Sequence, residues 1–550
     1  MQDWLWMTAA ELGRGIGAGE IDPEALTEAY LAAIAAHEHG ASTYARLTET
    51  RARAEAAAAA ARARTGQRLS LLDGVPVSWK DLFDTAGVAT ESGSALLEGR
   101  VPVRDAEVLR TAGAAGLVCL GKTHMSEFAF SGLGLNPITA TPPCVNGEGA
   151  VPGGSSSGAA TSVAYGLAAG AIGSDTGGSV RIPAAWNDLV GLKTTHGRIS
   201  TDGVVPLVPS FDSVGPLART VEDAALLLAA LEGRKPVDLR GASLAGRRFA
   251  VLETVAMDGL REAPRAAFLS AIDRLRAAGA RVEALAVPEV TEAMALSGIL
   301  YTPEAYGTWG EVIEAAPEKM FAPILERFRG GAEARASALI VAGNVLKRCK
   351  AAYFAATAGY DAVLMPTAAN LPPDHERLLS DAEYYVTENL LTLRNTRIGN
   401  LMGGCGMSLP TGVPSCGMQM LAPPMTEARL LRLAAAAGLP PAALRRTAAG
   451  LQSAAATAAR RAGKPPLRGG IGANATNPYR IVSFSGRRRG TALSLGANGA
   501  TTTPAPEAEK AVTPCSPNGS RTFRPMRSRV CGHFLILMHR LRRMRRMCCT

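Results

Sequence analysis

Two serines, one lysine and two glycine-rich turns hold the residue types from which this chain could build a reaction centre. The first turn, Gly153-Gly154-Ser155-Ser156-Ser157-Gly158, has the residues a backbone needs for positive φ and for close approach to a partner. The second, Asp175-Thr176-Gly177-Gly178-Ser179, places a hydroxyl at the end of a run of backbone N–H groups. Successive N–H groups near a helix start form an anion-binding nest. Beside a nucleophilic serine they stabilise the oxyanion of acyl transfer, by about 3 kcal/mol per donor. The same turn can instead bind phosphate or serve only as a tight corner. Upstream, Lys80 sits in VPVSWKDLFDTAG, among Val77, Trp79, Leu82 and Phe83. It is either a surface lysine whose stem covers apolar neighbours or a buried one, and burial disfavours the charged form.

These residues need elements to position them. Ala159 to Ala169 is rich in small side chains and reads as a helix able to pack closely. Ala171 to Ser174 reads as a short buried strand, and Lys80 ends another. Residues 105–121 read as a helix followed by a strand, and 247–287 as strand, helix, strand. This alternation predicts an α/β layer fold. At the N-terminal side, residues 8–37 read as two helices parted near Gly17-Ala18-Gly19, with Asp22 capping the second and Pro23 at its first position. Residues 131–152 form a Gly/Pro-rich loop. Tyr301, Tyr306 and Trp309 are aromatics for either a pocket or the core, and His124 and His196 read as structural hydrogen bonders.

The text GGSSSG, then GSDTGGSVRIPAA, with GVPVSWKD upstream, resembles the amidase signature family, which includes free-standing bacterial amidases and the A subunit of Glu-tRNA(Gln) amidotransferase. GKTHMSEFAFSGLGLNP, VPSFDSVGPLARTVEDAA and LRNTRIGNL echo the same family, over residues 8 to 437 in all. The resemblance implies an α/β fold in which helices cover both faces of a central mixed β-sheet. It implies a serine amidohydrolase that cleaves the C–N bond of a small-molecule amide through an acyl-enzyme. Ser179 would be the nucleophile, Ser155 the relay serine and Lys80 the base, with a cis peptide at Gly154–Ser155. The 24-residue interval between the serines is the family's. The N–H groups of Thr176, Gly177, Gly178 and Ser179 would form the oxyanion hole. Ser156, Asp175 and Arg181 would hydrogen-bond behind the triad or touch substrate, Arg181 by pairing with Asp175 or by meeting a substrate carboxylate. No metal or cofactor is implied. Thr194, where the family commonly has proline, and Ala150, where a charged residue is common, depart from the pattern and weaken any choice of substrate. The same resemblance leaves two alternatives: the A subunit of a tRNA-dependent amidotransferase, and a catalytically silent binding protein on this scaffold.

Composition divides the chain. Of 58 Lys+Arg and 48 Asp+Glu, residues 439–550 hold 20 basic and only 2 acidic, leaving 38 basic and 46 acidic before them. The overall charge of +10 therefore belongs to the last stretch, and the main body is mildly acidic. Residues 1–438 are expected to form the amidase signature domain. Residues 439–550, Arg-rich and dominated by Pro, Gly, Ser and Thr, are expected to be a basic, disordered extension whose text fits an out-of-frame product. An RNA- or lipid-binding tail is the rival reading, but aromatic residues do not alternate with the arginines, so nucleic acid is not an expected partner. Nine scattered cysteines without C-x-x-C, and no signal-peptide pattern, lead to the expectation of a reduced, cytoplasmic protein. No membrane span is expected, and a homodimer remains open.

Overall fold

Strand Pro76–Lys80 is buried at every residue, as an internal strand of a sheet covered on both faces must be. A computed structural model of the protein describes residues 2–438; the expectation for 439–550 lies outside the described residues. The described residues form one eleven-stranded mixed sheet. In chain order the strands are β1 (Tyr44–Leu47), β2 (Pro76–Lys80), β3 (Val118–Thr123), β4 (Gly170–Ser174), β5 (Val190–Lys193) and β6 (Val214–Ala218). They continue with β7 (Arg248–Leu252), β8 (Arg281–Leu285), β9 (Ala362–Pro366), β10 (Cys405–Pro410) and β11 (Gly417–Ala422). Their spatial order is β1-β3-β2-β4-β6-β5-β10-β11-β9-β7-β8. The β2–β3, β2–β4, β7–β8 and β7–β9 pairs are parallel and the others antiparallel. The outer strand β8 exposes Arg281 and Glu283, charges that discourage further strand pairing.

The parallel register of β2 on β4 decides where the chemistry-bearing residues go. Val77 lies opposite Gly170 and Trp79 opposite Ile172, so both strands end on the same edge. Lys80 closes one, and the other runs directly into Asp175–Ser179. Crevices at the carboxyl ends of parallel strands are where α/β sheets place their ligands.

The helix between the two turns runs Ser157–Ala164, and all eight residues are buried. Small side chains let it lie against the sheet, where Ser162 Oγ and Ser78 Oγ of β2 are 2.8 Å apart. It is shorter than the expected 159–169. Gly166 takes φ 74°, and Leu167 N–H turns back to the Ser162 carbonyl at 2.7 Å, a left-handed stop of the kind glycine permits. Near the N-terminus Asp22 caps Pro23–Ala36 through the N–H groups of Glu24 and Ala25, as expected. Two strands were not legible. β1 is four residues long at a sheet edge, and β5, also four residues, follows a helix of only six, Arg181–Trp186.

Close strand packing yields a test. A Cβ on Gly215 of β6 would lie 1.9 Å from the Leu192 carbonyl oxygen of β5. Gly215→Ala should therefore lower stability by about 3 kcal/mol, read as a fall in the urea unfolding midpoint.

Candidate active site

Lys80 is fully buried, the second of the two readings open from sequence. Its Nζ lies 2.6 Å from Ser155 Oγ and 2.8 Å from Ser174 Oγ. Burial pushes its pKa down to about 7, against the opposing pull of the negative charges of Asp175 and Asp212. Lysine normally titrates near 10.4, so this amine is poised to take a proton at neutral pH.

Ser155 follows a cis peptide at Gly154–Ser155. Backbone bonds clamp the first turn: Gly153 and Gly154 N–H donate to the carbonyls of Leu133 and Gly132, and Ser126 N–H donates to the Ser155 carbonyl. Ser156 ties the two turns together. Its N–H donates to the Ser179 carbonyl at 3.2 Å, and its hydroxyl donates to the Ser174 carbonyl at 3.3 Å. The Ser155 and Ser179 hydroxyls are not hydrogen-bonded to each other here. Ser179 lines a cavity of about 200 Å³ with Thr176, Gly177 and Tyr301.

The second turn is built around one buried ion pair. Asp175 accepts from Arg181 Nε at 3.0 Å and Nη2 at 2.9 Å, and from Asn400 Nδ2 at 2.9 Å. Burial alone would raise the Asp175 pKa, but the Arg181 charge and hydrogen bonds, with Lys193 and Asn400, hold it well below the usual carboxylate range. Arg181 Nη1 donates to the Thr396 carbonyl and Gln419 Oε1, both at 2.9 Å, and Nη2 also reaches Asn400 Oδ1 at 2.6 Å. All five guanidinium donors are thus committed. Of the two arrangements open for Arg181, the geometry has the pair with Asp175 and leaves no N–H for a substrate carboxylate.

The four expected oxyanion donors are not equivalent. Gly178 N–H donates to Asp175 Oδ1 at 2.9 Å, so this one is taken by the carboxylate that braces the turn. Among the described residues, no acceptor is bonded to the N–H of Thr176, Gly177 or Ser179. Their carbonyls and side chains are anchored from outside. Tyr301 OH donates to the Thr176 carbonyl at 3.0 Å, Thr396 Oγ1 to the Gly177 carbonyl at 2.8 Å, and Thr176 Oγ1 to Asp212 Oδ1 at 2.5 Å. Asp212 in turn accepts from Leu207 and Val208 N–H, and burial raises its pKa.

Ser174, Asp212, Thr396 and Asn400 were not singled out from sequence, although each lies in a stretch that carries the family resemblance. Tyr301 borders the cavity, whereas Trp309 Nε1 bonds the Pro206 carbonyl and Tyr306 reaches Glu314, both away from it. His196 Nδ1 bonds the Asp212 carbonyl at 2.9 Å. Thr194 donates its hydroxyl to the Val214 carbonyl at 2.7 Å, a local bond from β5's end to β6. Among the described residues, no group of three or more His, Cys, Asp or Glu is placed to hold a metal ion, and no helix is long and apolar enough to cross a membrane.

The mixed sheet and the two turns at its edge are those of an amide-hydrolysing enzyme with the amidase signature fold. A family model described as Amidase matches residues 25–431, and the chain belongs to that family. It is 36% identical over 385 residues to the 2-amino-5-chloromuconic acid deaminase of Comamonas testosteroni, covering 67% of this chain and 82% of that protein. It is 35% identical over 468 residues to the A subunit of the glutamyl-tRNA(Gln) amidotransferase of Anaeromyxobacter dehalogenans, covering 78% of this chain and 94% of that protein. The solved structure of native peptide amidase from Stenotrophomonas maltophilia matches with a TM-score of 0.65 at 27% identity, over 78% of this chain and 96% of that one.

Removing the arginine from the ion pair should be costly. Arg181→Met leaves Asp175 buried without its counter-charge and should destabilise the protein by about 3–5 kcal/mol. Equilibrium denaturation at neutral pH checks this. The folded Asp175 pKa is depressed, so the pair's contribution is present above the ordinary carboxylate range and is lost on acidification. The gap between wild type and Arg181→Met should accordingly narrow on acidification, as the unpaired Asp175 of the variant takes up a proton that the wild-type carboxylate still refuses.

Proposed function

We propose that the chain hydrolyses the C–N bond of a small-molecule amide through an acyl-enzyme on Ser179, releasing a carboxylic acid and ammonia or amine. The observation that carries the reading is the buried Lys80–Ser155 contact of 2.6 Å, with a lysine pKa near 7, beside a turn that holds Ser179. Neutral Lys80 accepts the Ser155 proton, and Ser155 accepts the Ser179 proton as Oγ attacks the amide carbonyl. The relay then returns that proton to the departing nitrogen, which leaves poorly unless protonated. The free N–H groups of Thr176, Gly177 and Ser179 receive the oxyanion. The serine-to-serine hydrogen bond absent here would form with substrate in place, since catalytic contacts commonly tighten in the Michaelis complex. Water completes the cycle on the acyl-enzyme. Residues 1–438 make up the catalytic domain in this reading.

A second reading has a specific observation behind it, the similarity to the A subunit of an amidotransferase over 94% of that protein. There the chain would release ammonia from glutamine and pass it to a partner. The isolated chain would then turn over poorly, and only glutamine, until the partner is added. A catalytically silent scaffold would show neither turnover nor serine labelling.

Treatment with a fluorophosphonate, followed by peptide mass spectrometry, should place a single adduct on Ser179. Ser179→Ala should abolish it, and Lys80→Ala should slow it by about 10³-fold. An absence of adduct on folded protein would sink the acyl-enzyme reading. Because the base works in its neutral form, kcat/KM should rise with pH through an apparent pKa near 7 and then level off. A chain ending at Gly438 should keep kcat/KM within about twofold, since in this reading residues 1–438 carry the whole catalytic domain.

A further inference from the structure

The cavity that Ser179 shares with Thr176 and Gly177 is also lined by two arginines, Arg327 and Arg397, and by no Asp or Glu. Arg397 projects from the helix Ala382–Met402 and is only 8% exposed. Among the described residues it forms neither an ion pair nor a side-chain hydrogen bond. Glu388, on the same helix, pairs with Arg261, and Asp175 of the Ser179 turn pairs with Arg181. Arg327, on the helix Ala322–Arg329, makes one bond, from Nη1 to the Phe130 carbonyl at 2.9 Å. Its guanidinium lies over the Phe130 ring, 4.4 Å from the centroid. Burial lowers the pKa of both groups, and the charge of Arg397 lowers that of Arg327 further.

Two like charges lining one cavity, one of them without a partner among the described residues, form an arrangement that an anion relieves. Burying an unpaired charge is expensive, and guanidinium donors are shaped for planar, two-oxygen acceptors. The remaining walls include Leu207, Leu390 and Leu393, which suit a short hydrocarbon segment. We propose that the amide this enzyme hydrolyses carries a carboxylate elsewhere in the same small molecule, held by Arg397 with Arg327 beside it. The contrast with Arg181 is informative: that arginine has every donor used within the fold, whereas Arg397 borders the cavity with no side-chain donor used among the described residues.

The inference rests on the reading of Ser179 as the reacting end of this cavity, so the test separates the two. Turnover is compared for chain-matched pairs, succinamate with butyramide and glutaramate with valeramide, in wild type, Arg397→Gln and Arg397→Lys. Wild type should favour the acids in kcat/KM by about tenfold or more, the worth of one hydrogen-bonded charge. Arg397→Gln should collapse that ratio, chiefly through KM for the acids, and Arg397→Lys should restore part of it. Equal use of acid and neutral amides by wild type, or an unchanged ratio in Arg397→Gln, would overturn the proposal. Calorimetric titration with succinate and glutarate reads the anion site without catalysis. Binding that Arg397→Gln removes supports the site even if no amide is cleaved, in which case the hydrolase reading is what fails. No binding of either acid, with wild type and variant both folded by thermal melting, removes the anion site whatever the turnover.

Discussion

Asp175 and Arg181, both wholly buried and six residues apart, face each other across the tight turn that ends in Ser179. Such a pair is expensive to desolvate, and it persists only where further hydrogen bonds satisfy both groups. Here they do. The carboxylate accepts from Gly178 and Val180 N–H, from Asn400 and twice from Arg181, while the guanidinium spends its remaining donors on the helix Ala382–Met402 and on strand β11. The consequence is geometric. With Gly178 N–H pulled back onto Asp175, the neighbouring N–H groups of Thr176, Gly177 and Ser179 are held in fixed directions without internal partners. A turn of this kind completes its reorganisation in advance, which is what makes preorganised dipoles effective.

Lys80 illustrates the opposite use of burial. Asp175 and Asp212 are its nearest sources of negative charge, yet neither bonds it; its two contacts are neutral hydroxyls, Ser155 and Ser174. Desolvation therefore prevails and the amine holds its proton weakly by lysine standards. Arginine in the same position would stay charged, and so could not exchange a proton with a serine. The fold thus keeps one cation fully compensated as a brace and another nearly uncompensated, with its proton weakly held, both around one turn. Arg397 shows a third condition: a charge compensated by nothing within the described fold.

Much of this was legible in the residues. GGSSSG and GSDTGGSVR specify their turns through glycine and small hydroxyl side chains, and the apolar run around Lys80 specifies a buried strand because no polar periodicity interrupts it. Asp22 before Pro23 marks a helix start by chemistry that needs only neighbouring N–H groups. Elements that owe their conformation to partners were the ones missed. β1 has four residues and no apolar alternation, and it is a strand because β3 offers it an edge. β5, equally short, is a strand because β6 and β10 flank it.

The same division runs through the site. Sequence alone marked the residues proposed to carry the chemistry, the two turns and the lysine, because local backbone demands and residue type are written into short stretches of chain. Tertiary structure decided their states. Arg181 finds Thr396, Asn400 and Gln419 more than 200 residues away, and Gly178 loses its N–H to a carboxylate rather than offering it to an oxyanion. Lys80 owes its lowered pKa to helices and strands that close over it from distant parts of the chain. Burial and hydrogen-bond completion depend on what the rest of the molecule packs against a group, and no local stretch of residues contains that information.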